Sequence, residues 1–210
     1  MLQYPQKEGV IKQVDSSGNI NFDPLLIKTF ADLTRNLSQR AAPAIRKKGF
    51  ENYLRHNEHE TFGYQTASGK KANIYVIAGA EYNDSEFHSA EKLAKAGYHV
   101  VFPNKGALGK ERKNDIYLYD TKTYAQQKVE IKSLFGTTSE TVSAQIISGS
   151  GQAGIIAYDI QSGIKKNRLI DGLRKGWSKN TKRVMINWHG QWYDIEEGML
   201  FTQSVYDILK

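Results

Sequence analysis

The alternation of strand-like and helix-like segments after residue 58 is the feature that most limits the possible folds. The runs YHVVF, KVEIKSLF and AGIIAYDI are short and rich in β-branched and aromatic residues, which is typical of buried strands. EFHSAEKLAKAG and IKKNRLIDGLRKGW instead carry apolar residues at helical spacing. Turn residues at 67–70 and at His189–Gly190 predict two hairpins. This order predicts an α/β domain with a mixed central sheet flanked by helices.

The first 57 residues differ from the rest in composition and pattern. A loop is followed by a helical stretch from Asp23 to about Arg55, which Pro43 interrupts. We therefore predict an N-terminal helical or linker region over residues 1–57 and a domain over residues 58–210.

The chain is basic, with 29 lysine and arginine residues against 22 acidic residues and a formal net charge of +7. Such a charge favours a polyanionic partner such as nucleic acid. The best candidate contacts lie on the predicted helix near the C-terminus: Lys165, Lys166, Arg168, Arg174 and Lys175. A solvated helix face is the alternative interpretation of these residues.

Cysteine and long apolar runs are both absent from the sequence. The lack of cysteine excludes disulfides, cysteine nucleophiles and thiolate metal sites. No apolar run approaches the roughly 18 residues needed to cross a bilayer, and the first ten residues lack the features of a signal peptide. We therefore expect a soluble chain with no membrane segment.

A charged pair, Glu130 and Lys132, lies inside the strand-like run VEIKS. Because side chains alternate along a strand, the two share one face, opposite to Val129 and Ile131. A half-buried strand normally directs such charges into solvent, so the pair is either a solvated face or part of a reaction centre.

The preceding strand supplies a second carboxylate if the two strands form a hairpin. Pairing of Asp120 with Ala125 across a four-residue loop places Asp115 opposite Glu130, with Cβ atoms about 5 Å apart. Two facing carboxylates repel each other unless a cation lies between them. Oxygen ligands at that spacing suit a hard divalent ion such as magnesium or manganese.

A third acid, Glu91, lies on the helix that precedes these strands. At 100° per residue it is about 40° from Phe87, at the edge of the apolar stripe that faces the sheet. A carboxylate aimed towards a sheet needs a partner, and the pair of Asp115 and Glu130 is the nearest candidate. A salt bridge from Glu91 to a nearby lysine is the alternative.

These residues resemble the E…D…ExK signature of the PD-(D/E)xK nuclease superfamily. Glu91 matches the first acid, Asp115 the second and residues 130–132 the ExK string, within a pattern that covers roughly residues 85–160. An asparagine precedes Asp115 where proline is common in the superfamily. The resemblance implies a restriction-endonuclease-like fold for residues 58–210 and a metal-dependent endonuclease activity. The catalytic residues that it implies are Glu91, Asp115, Glu130 and Lys132. The three acids among them would bind magnesium or manganese, with zinc as the alternative.

The segment SAQIISGSGQAGIIAYDI most resembles the C-terminal nuclease domains of contact-dependent growth inhibition toxins and related polymorphic toxins. This resemblance implies a secreted toxin domain that is delivered into the cytoplasm of a target bacterium. It also implies that the domain cleaves RNA, with transfer RNA the favoured substrate, and that a cognate immunity protein neutralises it. A DNA endonuclease of the same superfamily is one alternative. A noncatalytic basic nucleic-acid-binding or phage-related protein is another.

Two further motifs are less specific. GSGQAG at residues 149–154 matches G-x-G-x-x-G but precedes a strand, so we interpret it as a helix-to-strand turn and not as a nucleotide-binding loop. His56, His59 and Glu60 would share a face and bind zinc only if a helix continued through them. The predicted helix ends near Arg55, so a surface turn is favoured.

Overall fold

The computed structural model describes residues 11–14, 20–22, 41–106 and 114–209, and the first two ranges as backbone only. The strands are β1 (Ile11–Val14), β2 (Ile20–Phe22), β3 (His59–Gln65), β4 (Lys71–Ile77), β5 (Tyr98–Phe102), β6 (Ile116–Asp120), β7 (Gln126–Leu134), β8 (Ile155–Ile160), β9 (Arg183–Trp188) and β10 (Gln191–Ile195). The helices are α1 (residues 41–55), α2 (Asp84–Lys95), α3 (Ser139–Gln152), α4 (Lys166–Gly176), α5 (Glu197–Leu200) and α6 (Ser204–Ile208).

Strands β3 to β10 form one sheet in the order β10-β9-β8-β7-β6-β5-β4-β3, and β1 pairs with β2 separately. β4 and β5 are parallel, as are β7, β8 and β9, whereas β3, β6 and β10 run antiparallel to their neighbours. The sheet is therefore mixed. Because helices flank it, the predicted α/β class is confirmed.

Both predicted hairpins are confirmed. β3 and β4 pair in register from His59 opposite Ile77 onward. β9 and β10 are joined by His189 and Gly190, with φ of 50° and 82°. Two consecutive residues in the left-handed region give the tight turn whose twist matches that of the flanking strands.

The N-terminal region differs in part from the prediction. Residues 11–14 and 20–22 are strands, so the loop predicted there is wrong at these positions. Strands of four and three residues are too short to show a two-residue period in sequence. The helix predicted for residues 23–40 lies outside the described residues. Residues 41–55 are helical, and Pro43 lies within the helix.

Helix α1 packs onto the sheet through Phe50. This side chain is buried and its ring contacts Tyr75 of β4, His99 of β5 and Tyr119 of β6. The boundary at residue 57 stays a prediction, but the aromatic cluster joins α1 to the strands that follow it.

Helices cover both surfaces of the sheet. α2 packs Ala90 and Leu93 against a cluster that includes Ile74 and Val100, and we call this surface the α2 face. The opposite surface, the α3 face, is covered by α3 and α4 over β7 to β9 and by α1 over β4 to β6. In the ranges described, every helix is too short or too polar to cross a bilayer.

Gly172 lets α4 pack closely on α3. A methyl group there would lie 2.6 Å from the Ser139 carbonyl oxygen and would also clash with Val142. We expect Gly172→Ala to lower the free energy of unfolding by about 1–3 kcal/mol, because overpacking outweighs the helix propensity of alanine. Gly151→Ala in α3 is the matched control, since no atom lies within 4 Å of its new methyl group. Urea denaturation measures both values, and a loss of stability in the control as large as that in Gly172→Ala would contradict this packing argument.

Candidate active site

The strand register places Asp115 opposite Glu130, as the hairpin predicts. β6 and β7 pair Ile116 with Val129, so the residue before Ile116 falls opposite the residue after Val129. The backbone N–H of Ile131 donates to Asp115 Oδ2 at 3.0 Å. This bond fixes the Asp115 carboxylate against β7.

Each of the two carboxylates has a lysine partner. Lys132 Nζ lies 2.6 Å from Glu130 Oε1, and Lys105 Nζ lies 2.7 Å from Asp115 Oδ1. The side chain of Glu130 is 1% exposed and that of Asp115 is 7% exposed, whereas both lysines retain about a fifth of their surface. The two acids are therefore buried, whereas the ammonium groups of the two lysines are partly exposed to solvent. We call these two acids and their two lysines the centre.

The surroundings of Glu130 disfavour its ionised form. Burial raises its pKa, Lys132 opposes that rise, and the charge of Asp115 adds to it, so the pKa reaches about 7. Its second oxygen, Oε2, is buried and has no hydrogen-bond partner. A buried carboxylate oxygen without a partner costs free energy, and such groups cluster at functional sites.

The chemistry of the pair suits a divalent cation. Asp115 and Glu130 offer hard carboxylate oxygens, which magnesium and manganese prefer, and Glu130 Oε2 lacks any other partner. Over the part of the chain that the structure describes, no group of three His, Cys, Asp or Glu side chains is arranged to hold a metal. A cation here would therefore depend on two carboxylates together with main-chain or water oxygens, and not on the three acids expected.

The structure does not bring Glu91 to this pair. Glu91 lies on α2, which packs on the α2 face, whereas Glu130 packs beside Gly149 of α3 on the opposite face. Its carboxylate accepts a hydrogen bond from Tyr64 Oη at 2.9 Å and lies 3.3 Å from His88 Nδ1. The bond from Tyr64 is the main cause that lowers the pKa of Glu91.

The sequence did not indicate two charged residues that affect the electrostatics of the centre, Lys105 and Glu86. Burial lowers the pKa of Lys105, but its hydrogen bond to Asp115 and the charge of that residue outweigh burial, so the pKa is raised. The charges of Glu86, in the first turn of α2, and of Glu130 add to the rise. Nothing in the sequence separates Lys105 from the other lysines. Glu86 already has a structural role, because its carboxylate and Asn83 form the capping box of α2.

Helix α3 is fixed to the strands of the centre by Gln145. Its amide donates to the Ser133 carbonyl oxygen at 3.2 Å and accepts from Tyr158 Oη at 2.7 Å. A methyl group at Gly149 would lie 3.1 Å from Ile156 and 3.5 Å from Glu130 Cγ, so glycine leaves room for the acid. The turn predicted at residues 149–154 is thus wrong in part, because α3 continues through Gln152.

The predicted nucleic-acid contacts on α4 are mostly engaged within the chain. Arg174 Nε donates to the Leu200 carbonyl oxygen at 2.6 Å, and Lys175 Nζ lies 3.1 Å from Glu140 Oε1. Lys166, Arg168 and Lys165 complete the set. Lys166 lies 3.3 Å and Arg168 3.5 Å from carbonyl oxygens, and Lys165 is exposed. These contacts tie α4 to α3 and to the C-terminal helices, and binding of phosphates by the five residues stays a prediction.

The histidine motif after α1 does not form a helix face. Residues 41–55 are helical and His59 begins β3, as the predicted helix end implies. His56 Nδ1 lies 2.7 Å from the Asn52 carbonyl oxygen, and His59 Nδ1 lies 2.7 Å from that of Asn57. Each imidazole therefore has a local main-chain partner.

The structure brings together three of the four catalytic residues that the sequence suggests. Asp115, Glu130 and Lys132 meet on neighbouring strands, Lys105 joins them, and Glu91 lies on the other face. Comparison with protein-family models, curated proteins and solved structures finds no match to this chain. What the centre does is therefore inferred from its own chemistry.

Proposed function

We propose that this chain is a metal-dependent endonuclease that hydrolyses phosphodiester bonds, with RNA the favoured substrate. The observation that carries the proposal is the buried pair of Asp115 and Glu130, with the ammonium group of Lys132 2.6 Å from the second acid. A divalent cation held by the two carboxylates and the Ile131 carbonyl would polarise the scissile phosphate and lower the pKa of an attacking water.

Two lysines supply the positive charge that phosphoryl chemistry requires. Lys132 orients the attacking water and stabilises negative charge that develops on the phosphate oxygens. Lys105 holds Asp115 and adds positive charge beside it. Because both ammonium groups reach solvent, a phosphate can approach them without opening the fold.

The resemblance of residues 143–160 to polymorphic toxins supports a narrower assignment. It favours a toxin domain that cleaves transfer RNA in the cytoplasm of a target cell and is bound by a cognate immunity protein. A positively charged chain is suited to such a polyanionic substrate. A noncatalytic binding protein is less consistent with the centre, since two buried acids oppose phosphate binding.

The test is cleavage of total bacterial RNA and of plasmid DNA by the purified full chain, with magnesium or with EDTA. We expect cleavage of small RNA that requires the metal. Asp115→Ala and Lys132→Ala should each lower the rate at least about 100-fold, because each removes a group that acts in the transition state. Lys47→Ala is the control, since Lys47 is an exposed lysine of α1 paired with Glu51.

Cleavage of plasmid DNA alone would move the assignment to a DNA endonuclease. Absence of cleavage with every metal, together with retained tight binding of RNA, would overturn the enzymatic proposal. Equal activity of Asp115→Ala and the Lys47→Ala control would place the reaction elsewhere in the chain.

A further inference from the structure

A groove runs along the α2 face beside the β9-β10 hairpin. It has a volume of about 670 Å³, which lies in the range of small-molecule sites. Its lining includes Lys95, Tyr98, Asn187, Gln191 and Trp192. A second cavity of about 250 Å³ adjoins it, and Lys92, Asn187 and Gly190 line both.

Asn187 is the unusual residue of this groove. It is 3% exposed, yet its side-chain amide makes no hydrogen bond to any residue in the described ranges. The residue beside it on β8, Asp159, is by contrast satisfied by Lys92, Ser89 and Gln161. The amide nitrogen and oxygen of Asn187 are not fully buried, so they reach the open space of the groove. Because Asn187 lines both cavities, its free donor and acceptor are available to a ligand.

The geometry of the hairpin places an aromatic ring next to this amide. Trp192 pairs directly with Asn187, so the two side chains share one face with Cβ atoms about 5 Å apart. The turn at His189–Gly190 fixes that register. Lys95, at the end of α2, is exposed and supplies a positive charge on the opposite wall of the groove.

We propose that this groove binds one unstacked nucleotide of the substrate. The base stacks on Trp192, the amide of Asn187 reads the base edge as donor and acceptor, and Lys95 contacts the phosphate. A purine or pyrimidine edge needs both kinds of hydrogen bond, which an asparagine amide offers together. Bases available for such contacts occur in single-stranded and loop regions of RNA.

The role of the groove in the reaction rests on the proposed function. Ser133, the residue after Lys132, pairs with Asp159 of β8, and Asp159 pairs with Asn187 of β9. The groove therefore lies two strand spacings, about 10 Å, from the strand that carries Glu130. The groove is on the α2 face, whereas Glu130 and Lys132 point to the α3 face, so a nucleotide bound there would anchor the substrate away from the reacting phosphate.

The test measures binding of AMP, GMP, CMP and UMP, one at a time, to the full chain in EDTA. Tryptophan fluorescence and NMR detect the binding. We expect at least one nucleotide to bind at concentrations up to about 10 mM, which detects a Kd near 1 mM. Asn187→Leu and Trp192→Ala should each weaken it about tenfold or more. Asn180→Leu, at an exposed turn outside the groove, is the matched control and should leave Kd unchanged.

Thermal unfolding of each variant shows whether it folds, and Asn187→Leu removes no hydrogen bond within the described part of the fold. Lack of binding by all four nucleotides, or binding that both groove variants leave intact, would overturn the proposal. Because no cleavage is needed, the two proposals fail separately. Binding by a chain that cleaves nothing would remove the nuclease assignment only, and cleavage without binding would remove the groove only.

Discussion

Glu130→Gln is expected to abolish cleavage and, without divalent cations at pH 8, to raise the free energy of unfolding. The carboxylate is 1% exposed, its Oε2 has no partner, and Asp115 lies opposite it. Burial and Asp115 raise its pKa from 4.5 to about 7, so ionised Glu130 destabilises the folded chain by about 3 kcal/mol. Glutamine removes that charge and also removes a ligand of the proposed metal site.

The pH dependence follows from the direction of this shift. Well below pH 4.5 the acid is protonated in both the folded and the unfolded chain. As pH rises towards 7, the unfolded chain releases the proton first, so this contribution to stability is lost over that window. The loss should be smaller in Glu130→Gln.

Urea denaturation between pH 4.5 and 8 in EDTA measures the effect, beside an RNA cleavage assay in magnesium. Glu51→Gln, at an exposed position of α1, is the control for loss of a carboxylate. A Glu130→Gln chain less stable than wild type at pH 8 would show that the ion pair with Lys132 outweighs burial. Retained cleavage would exclude Glu130 from the reaction.

Lys92→Met is expected to lower the free energy of unfolding by about 3–5 kcal/mol, because it leaves a buried charge without its partner. Asp159 is fully buried, and Lys92 Nζ contacts its two oxygens at 3.0 and 2.8 Å. Ser89 and Gln161 remain as neutral donors, which do not balance the charge.

The double variant Lys92→Met/Asp159→Asn should recover much of this loss, since no unpaired charge remains. Lys47→Met, which breaks an exposed pair, is the matched control and should change stability by less than about 1 kcal/mol. Urea denaturation measures the stability of these variants and of the wild-type chain. Where the m-values are unchanged, a shift of the urea midpoint reports a change in stability. Equal stability of Lys92→Met and the control would mean that water compensates Asp159.

The sequence predicts those parts of the centre that depend on local pairing. A short loop between two strands fixes the register, so Asp115 opposite Glu130 follows from loop length alone. The apolar stripe of α4 is likewise local, and Leu169, Ile170 and Leu173 are buried as expected.

Contacts between distant elements could not be predicted in the same way. The position of Glu91 around its helix predicts that the side chain borders the sheet. It does not predict which residues of the sheet lie beneath that side chain. Val129 and Ile131 belong to the cluster under α2, so by alternation Glu130 points away from that helix. Lys105 lies after β5 in a segment without periodicity, and its proximity to Asp115 depends on the tertiary fold.

The turn between β6 and β7 determines which residues of the two strands pair, although none of its own residues belongs to the centre. Asp120 accepts hydrogen bonds from the backbone of Lys122 and Thr123, and Tyr124 adopts a φ of 52°. Insertion or deletion of one residue there would shift the pairing by one and exchange the two faces of β7. Glu130 and Lys132 would then enter the apolar cluster under α2. Natural variation in the length of this exposed turn should consequently be as restricted as variation in the acids themselves.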